Sequence, residues 1–191
     1  MISQLRPTLV VFTALTVACC VAYPLAVTGA ARVLFPGQAA GSLVEQGGKV
    51  FGSRLIGQSF TSPRYFWGRP SATAPMPGNG AASGGSNQGP LNPALMEAVQ
   101  GRVDALRAAD PGNTRPVPAE LVTASASGLD PDIGIAAARW QVARVARARG
   151  LPAAQVEALV ERHASTPPLS FLGGTTVNVL MLNLALDGLR K

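Results

Sequence analysis

The hydrophobic pattern begins with an uninterrupted apolar run. Between Arg6 and Arg32 lie 25 residues, 7–31, without a charge. At the helical rise such a run spans roughly 36 Å, against about 30 Å of bilayer hydrocarbon, so the pattern predicts one transmembrane helix. Pro7 suits a first helical position, where its missing N–H costs nothing, and Pro24 is expected to kink or open the helix near its far end. Tyr23 is placed for a membrane interface. A cleaved signal sequence is the rival reading, but the run exceeds the usual apolar region of one, so a retained anchor is favoured. A lipidated Cys19 is disfavoured because Thr16 stands where a large aliphatic residue is expected. Ala14, Ala18, Ala22, Ala26 and Ala30 recur every fourth residue and form a candidate ridge for a partner helix.

Past the anchor the period changes. Residues 42–45 and 49–56, separated by Gly47 and Gly48, read as a β-hairpin whose double glycine supplies the positive φ of a tight turn. Residues 60–69 follow, with Tyr65, Phe66 and Trp67; packing those rings into the core is at least as good a reading as a ligand contact. Residues 71–93, rich in Gly, Pro, Ser and Asn, read as a long ordered loop. A helix is expected from the Asn92 cap and Pro93 to about Asp110, with Leu95, Val99, Val103 and Leu106 facing the core. Asn113 is expected to be exposed in the loop after it. A second helix is expected from Asp130 and Pro131 to Gly150, a third from Pro152 to His163, and a last apolar one over 176–189. The fold class is therefore α+β: a tail at 1–6, a single transmembrane helix at 7–31, and a globular domain at 32–191 with a hairpin or small sheet and about four helices.

Composition sharpens this picture in two respects. The 191 residues carry 47% hydrophobic and only 14% charged side chains, with a net charge of +6, which excludes a disordered polyelectrolyte. Of the 16 cations 14 are arginine, but acids are dispersed among them, so no polybasic block points to nucleic acid. Arg144, Arg147 and Arg149 at a helix end are read mainly as partners of the helix dipole.

Candidate chemistry is sparse. The two cysteines, Cys19 and Cys20, are adjacent and lie in the apolar run, so they build neither a disulfide framework nor a zinc site. The single histidine, His163, reads as a helix-terminal dipole partner, and Asp130 with Asp132 as a helix cap and first-turn acid rather than a metal pair. No metal site and no catalytic set is expected. Ser125 and Ser127 lack a nucleophile elbow, and the glycine-rich loop lacks the Gly-Lys-Ser/Thr ending of a P-loop. Residues 82–88, Ala-Ser-Gly-Gly-Ser-Asn-Gln, look like the Ser-Gly-Gly-Gln string of ABC ATPases with the final polar residue altered.

The motifs together resemble one family. Tyr23-Pro-Leu-Ala-Val-Thr-Gly29, Gly52-Ser-Arg-Leu-Ile-Gly-Gln58, Ser59-Phe-Thr-Ser-Pro-Arg-Tyr-Phe-Trp-Gly-Arg-Pro-Ser-Ala72, Ser83-Gly-Gly-Ser-Asn-Gln-Gly-Pro-Leu-Asn-Pro93, Val122-Thr-Ala-Ser-Ala-Ser-Gly-Leu-Asp-Pro131 and Val177-Asn-Val-Leu-Met-Leu-Asn-Leu-Ala-Leu-Asp187 occur over nearly the whole chain, in the order of the KdpC family. This family is the C subunit of a potassium-transporting P-type ATPase. One departure is Gly173-Gly-Thr-Thr176, where the family usually has a Gly-Glu-Pro-Arg-like segment. The resemblance implies a non-catalytic accessory subunit of the ATP-driven potassium uptake complex. It would promote assembly and activity, as a catalytic chaperone raising the ATP affinity of the ATP-hydrolysing subunit.

The implied partners are that P-type subunit and a channel-like potassium-binding subunit, in the bacterial inner (cell) membrane. The implied cofactor is ATP, with Ser83, Gly84, Gly85, Ser86, Asn87 and Gln88 as the proposed contact, while K+ is the transported ion of the complex. The resemblance also puts the globular domain outside the cytoplasm, which conflicts with direct contact to cytoplasmic ATP. The charges flanking the helix are nearly balanced and do not decide the side. An outer domain would instead use the loop to shape or cap the potassium entrance.

Overall fold

The computed structural model describes residues 2–169, 171 and 173–189; Met1 of the expected tail lies outside them. The described chain divides between Ser53 and Arg54 into two compact units.

The first unit opens with a long helix in three consecutive stretches: α1 (Ile2–Thr16), a π-helical stretch (Val17–Ala22) and α2 (Tyr23–Leu34). Contrary to expectation, residues 2–6 are helical rather than a tail, and Pro7 lies inside α1 rather than at its first position. Pro24 explains the middle stretch. Its nitrogen cannot donate to the carbonyl four residues back, and its ring crowds that carbonyl. The backbone therefore widens in the preceding turn, and the Tyr23 N–H reaches the Ala18 carbonyl, five residues back. The expected kink is thus realised as a π turn. A short helix, α3 (Pro36–Ala39), leads to the hairpin of β1 (Leu43–Gln46) and β2 (Lys49–Ser53). Gln46 pairs with Lys49 across the two-residue turn, where Gly47 and Gly48 have φ of 59° and 75°. The double glycine therefore acts as the sequence suggests. The second strand stops at Ser53, earlier than expected.

The second unit contains α4 (Pro93–Ala109), a 3-10 turn (Ala119–Leu121), β3 (Asp132–Gly134), α5 (Ile135–Arg149), α6 (Ala153–His163), β4 (Ala164–Ser165), β5 (Thr176–Asn178) and α7 (Val179–Gly188). The class is α+β. The expected bounds of α4 hold: the Asn92 side chain accepts from the Ala94 N–H, and Asp110 closes the other end. On its stripe Leu106 is buried, while Val99 and Val103 pack against the core partly exposed. The end of α5 also follows its sequence signal. Gly150 adopts φ 68°, and the Leu151 N–H reaches the Ala146 carbonyl, as in a Schellman ending.

Two helix starts differ from expectation. Residues 130–134 and 176–178 are not helical; β3 and β5 pair antiparallel, with Ile133 opposite Val177, and β4 joins β5 on its other edge. An Asp-Pro pair resembles a helix start locally, but here Asp130 Oδ1 accepts from the Asp132 N–H at 3.1 Å and begins a strand. Ile133 and Val177 are fully buried, and that burial with the ladder outweighs the local signal. The true cap of α7 is Asn178, which accepts from the Met181 N–H and donates to Asp132 Oδ1.

The core lies among α5, α6, α7 and the three-stranded sheet, with Val145, Val156, Val160, Leu182 and Leu186 inaccessible. Phe66 is buried there too, although residues 62–69 form no helix or strand. Their backbone polar groups need partners, and side chains provide them. Asn183 of α7 accepts from the Phe66 N–H at 2.9 Å and donates to the Phe66 carbonyl at 3.0 Å. Gln141 of α5 accepts from the Trp67 N–H at 2.8 Å and donates to the Trp67 carbonyl at 3.0 Å. Each amide imitates one rung of a neighbouring strand. Replacing Asn183 by Leu strands two backbone groups, so Asn183→Leu is expected to destabilise the domain by about 2 kcal/mol or more, read by chemical denaturation. A loss within error of zero would contradict the role given to this amide.

Candidate functional site

The arginines at the end of α5 do more than complement a dipole. Arg144 is inaccessible; its Nη1 donates to the carbonyls of Pro63 (2.7 Å) and Tyr65 (3.1 Å), and its Nη2 to Gln141 Oε1 at 2.6 Å. Its guanidinium also lies over the Trp67 ring, 4.5 Å from the centroid. Burial pushes its pKa down to about 10, opposed by the charge of Asp110. The side chain remains a cation at neutral pH, its desolvation offset by these contacts. Arg149 donates to the Arg64 carbonyl and to Asp187, and stacks over Tyr65 at 4.8 Å. The Tyr65 hydroxyl reaches the same carboxylate at 3.0 Å. Arg147 pairs with Asp110, whose side chain is buried at the end of α4. The dipole reading thus gives way to a specific one: two arginines clamp the aromatic segment and a third ties α5 to α4. The core reading of Phe66 holds, and Tyr65 and Trp67 are stacking platforms for these cations.

The long loop is ordered by small polar side chains. Ser71 Oγ donates to the Gly128 carbonyl at 2.7 Å and accepts from the Gly78 N–H, while Thr73 Oγ1 donates to the Met76 carbonyl. Ser83 Oγ and the Gly84 N–H both donate to the Ser127 carbonyl, at 3.0 and 2.9 Å. A Cβ on Gly85 would stand 2.7 Å from the Ala126 carbonyl oxygen, so this glycine permits direct backbone packing. Ser83, Gly84 and Gly85 are therefore seated on residues 126–127. Ser86 and Asn87 are exposed, Asn87 with φ 51°, and Gln88 is half-buried. The loops enclose a cavity of about 350 Å³ whose lining includes none of residues 83–88.

Other sequence candidates fall elsewhere. His163 ends α6 half-buried, and no group of three or more His, Cys, Asp or Glu able to hold a metal occurs among the described residues. Asp130 does not cap a helix; it pairs with Arg69 at 3.0 Å. Asn113, expected to be exposed, is buried and donates to the Trp140 carbonyl, which closes the turn after α4 onto α5. Among residues that sequence reasoning missed, Glu120 accepts from the Gly134 N–H at 2.8 Å, and Gln141 and Asn183 hold the aromatic segment. A polar amide within the apolar run of α7 was the signal available for Asn183.

On the long helix, Ala14 lies in α1, Ala18 and Ala22 in the π stretch, and Ala26 and Ala30 in α2. In a regular α-helix residues four apart drift by about 40° per step. The wider π turn holds more residues and rotates the line back, so the alanines stay closer to one face than in an uninterrupted α-helix.

One helix among the described residues, Gln4–Leu34, is long and apolar enough to cross a membrane. Together with the α+β unit that follows, it fits a membrane-anchored protein with a small globular domain. The family model for the c chain of the K+-transporting ATPase, KdpC, matches residues 5–188, and the chain belongs to that family. It is 66% identical over 186 residues to the potassium-transporting ATPase KdpC subunit of Polaromonas naphthalenivorans, covering 97% of this chain and 95% of the relative. Its identity to the subunit of the same name from Sorangium cellulosum is 60% over 190 residues, covering 100% of both chains.

Burial, and then the charge of Arg162, hold the His163 pKa below its ordinary value of 6.5. The unfolded chain thus binds more protons than the folded one once pH falls below 6.5, and stability declines as pH drops through the folded pKa. His163→Gln is expected to flatten the pH dependence of unfolding between about pH 7 and 5, measured by denaturant titration. An unchanged slope would contradict this linkage.

Proposed function

We propose that the chain is a non-catalytic accessory subunit of the potassium-transporting ATPase, promoting assembly and activity as a catalytic chaperone that raises the ATP affinity of the ATP-hydrolysing subunit. The observation that carries this reading is membership of the K+-transporting ATPase c-chain family over residues 5–188. It is supported by the use of the buried polar groups: Gln141, Arg144 and Asn183 are engaged in holding backbone. The partners in this reading are a channel-like potassium-binding subunit and a P-type ATP-hydrolysing subunit, in the bacterial inner membrane. The helix inserts once, and Ala14, Ala18, Ala22, Ala26 and Ala30 let a partner helix approach closely. The domain lies outside the cytoplasm in this reading; an alternative role for residues 83–88 there is to cap the potassium entrance.

Assembly tests this reading. Ala18→Ile combined with Ala22→Ile is expected to reduce the amount of pump and channel subunits co-purifying with the chain by about tenfold, the effect of roughly 1.4 kcal/mol of lost packing. Undiminished recovery would contradict the ridge. Thr114 is exposed, so Thr114→Cys in a chain with Cys19 and Cys20 replaced by Ala reports the side of the domain. Labelling of intact spheroplasts by a membrane-impermeant maleimide is expected, and labelling only after lysis would put the domain inside.

A second reading is direct ATP binding by Ser83, Gly84, Gly85, Ser86, Asn87 and Gln88, favoured by the exposure of Ser86 and Asn87. Against it, the Gly84 N–H and Ser83 hydroxyl are already bonded to the Ser127 carbonyl. Photo-labelling of the intact complex with an ATP analogue separates the two readings. The structural reading expects no label on this subunit, whereas label lost on Ser86→Ala and Asn87→Ala substitution would establish the nucleotide contact.

A further inference from the structure

The cavity of about 350 Å³ in the second unit has features of a ligand site that the reading above does not use. Its volume is of the size that takes a small organic molecule. One part of its wall is apolar, formed by Phe60, Trp67, Leu106 and Leu121, and the charged groups on it are Arg69, Arg102 and Asp130. These sum to one net positive charge. Arg69 Nη1 pairs with Asp130 at 3.0 Å, and its side chain is partly exposed on the cavity wall. Arg102 donates through Nη1 to the Val122 carbonyl at 2.7 Å, one of the five N–H groups on a guanidinium.

The wall is also rigid. The Gly57 N–H donates to the Leu129 carbonyl at 2.8 Å, and a Cβ on Gly57 would stand 2.5 Å from the Asp130 carbonyl oxygen. A Cβ on Gly78 would stand 2.5 Å from the Gly57 carbonyl oxygen. Three loop segments therefore meet backbone to backbone, and the space between them is held open by packing rather than filled by a side chain.

We propose that this cavity is a binding site for a small organic monoanion, a carboxylate carried on a flat apolar body. The carboxylate meets the guanidinium donors of Arg69 and Arg102, and the apolar body lies against Phe60, Trp67 and Leu106. Asp130 disfavours a dianion, because a second negative charge would face its carboxylate. The site is separate from residues 83–88 and does not depend on the assembly role.

The test uses the full chain in phosphatidylcholine nanodiscs and the probe 4-trifluoromethylbenzoate, followed by 19F NMR. The neutral 4-trifluoromethylbenzamide controls for partition into lipid. Two variants report on the cavity: Arg102→Gln removes one donor, and Ala105→Trp, at an exposed α4 position that lines the cavity, fills it. Saturable binding of the benzoate with a Kd below about 1 mM is expected, at least tenfold weaker for the benzamide and for Arg102→Gln, and abolished by Ala105→Trp. No saturable binding, equal binding of the benzamide, or benzoate affinity unchanged in either folded variant would overturn the proposal.

Discussion

The second unit depends on one arrangement: an extended segment buried without a neighbouring strand, whose backbone is paired by side-chain amides. Phe66 lies in the core with residues on either side in irregular conformation. Any buried peptide group without a partner would make that placement too costly. Asn183 and Gln141 resolve it, each offering one acceptor and one donor with the spacing of a peptide unit. The same segment then receives Arg144 and Arg149, which take the carbonyls of Pro63, Tyr65 and Arg64 that the amides leave. The segment thereby links α5 and α7, and both helices become committed to a fixed register against it. Because the partners are buried polar groups, a defect at one is not relieved by solvent.

The constraint extends outward. Just after the clamped aromatics, Arg69 pairs with Asp130 at the start of the short sheet, and Ser125 donates its N–H to the Pro70 carbonyl. Ser71 and Gly85 then bring the long loop onto residues 126–128. A stretch that by composition could be a flexible tether is instead held against the domain by backbone contacts that only small residues permit. Order of this kind suits a surface presented to a partner subunit, since little conformational entropy remains to be lost on docking.

The anchor obeys a different solvent. Within hydrocarbon every backbone polar group must be satisfied by the helix itself, so Pro24 cannot simply break it. The π stretch accommodates the missing N–H by shifting the pattern of acceptors. A helix that packs against another in lipid gains from that closeness, because no hydrophobic effect drives association there.

The sequence by itself determined the elements whose cause is local. The charge-free run sets the anchor, Gly47-Gly48 sets the hairpin turn, Asn92-Pro93 and Gly150 set helix ends, and the ordered motifs identify the family. Each depends on residues adjacent in the chain or one helical turn apart. The tertiary structure alone decided the rest. Residues 130–134 and 176–178 read as helix starts, yet they pair as strands because Ile133 meets Val177 from 44 positions away in the chain, a contact no local propensity encodes. Asn113, Arg144 and Arg149 carry surface chemistry by residue type, but their partners come from distant segments and draw them inward. The cavity likewise exists only where three loops meet. Its charged lining of Arg69, Arg102 and Asp130 is brought together by the packed fold and not by the order of residues in the chain.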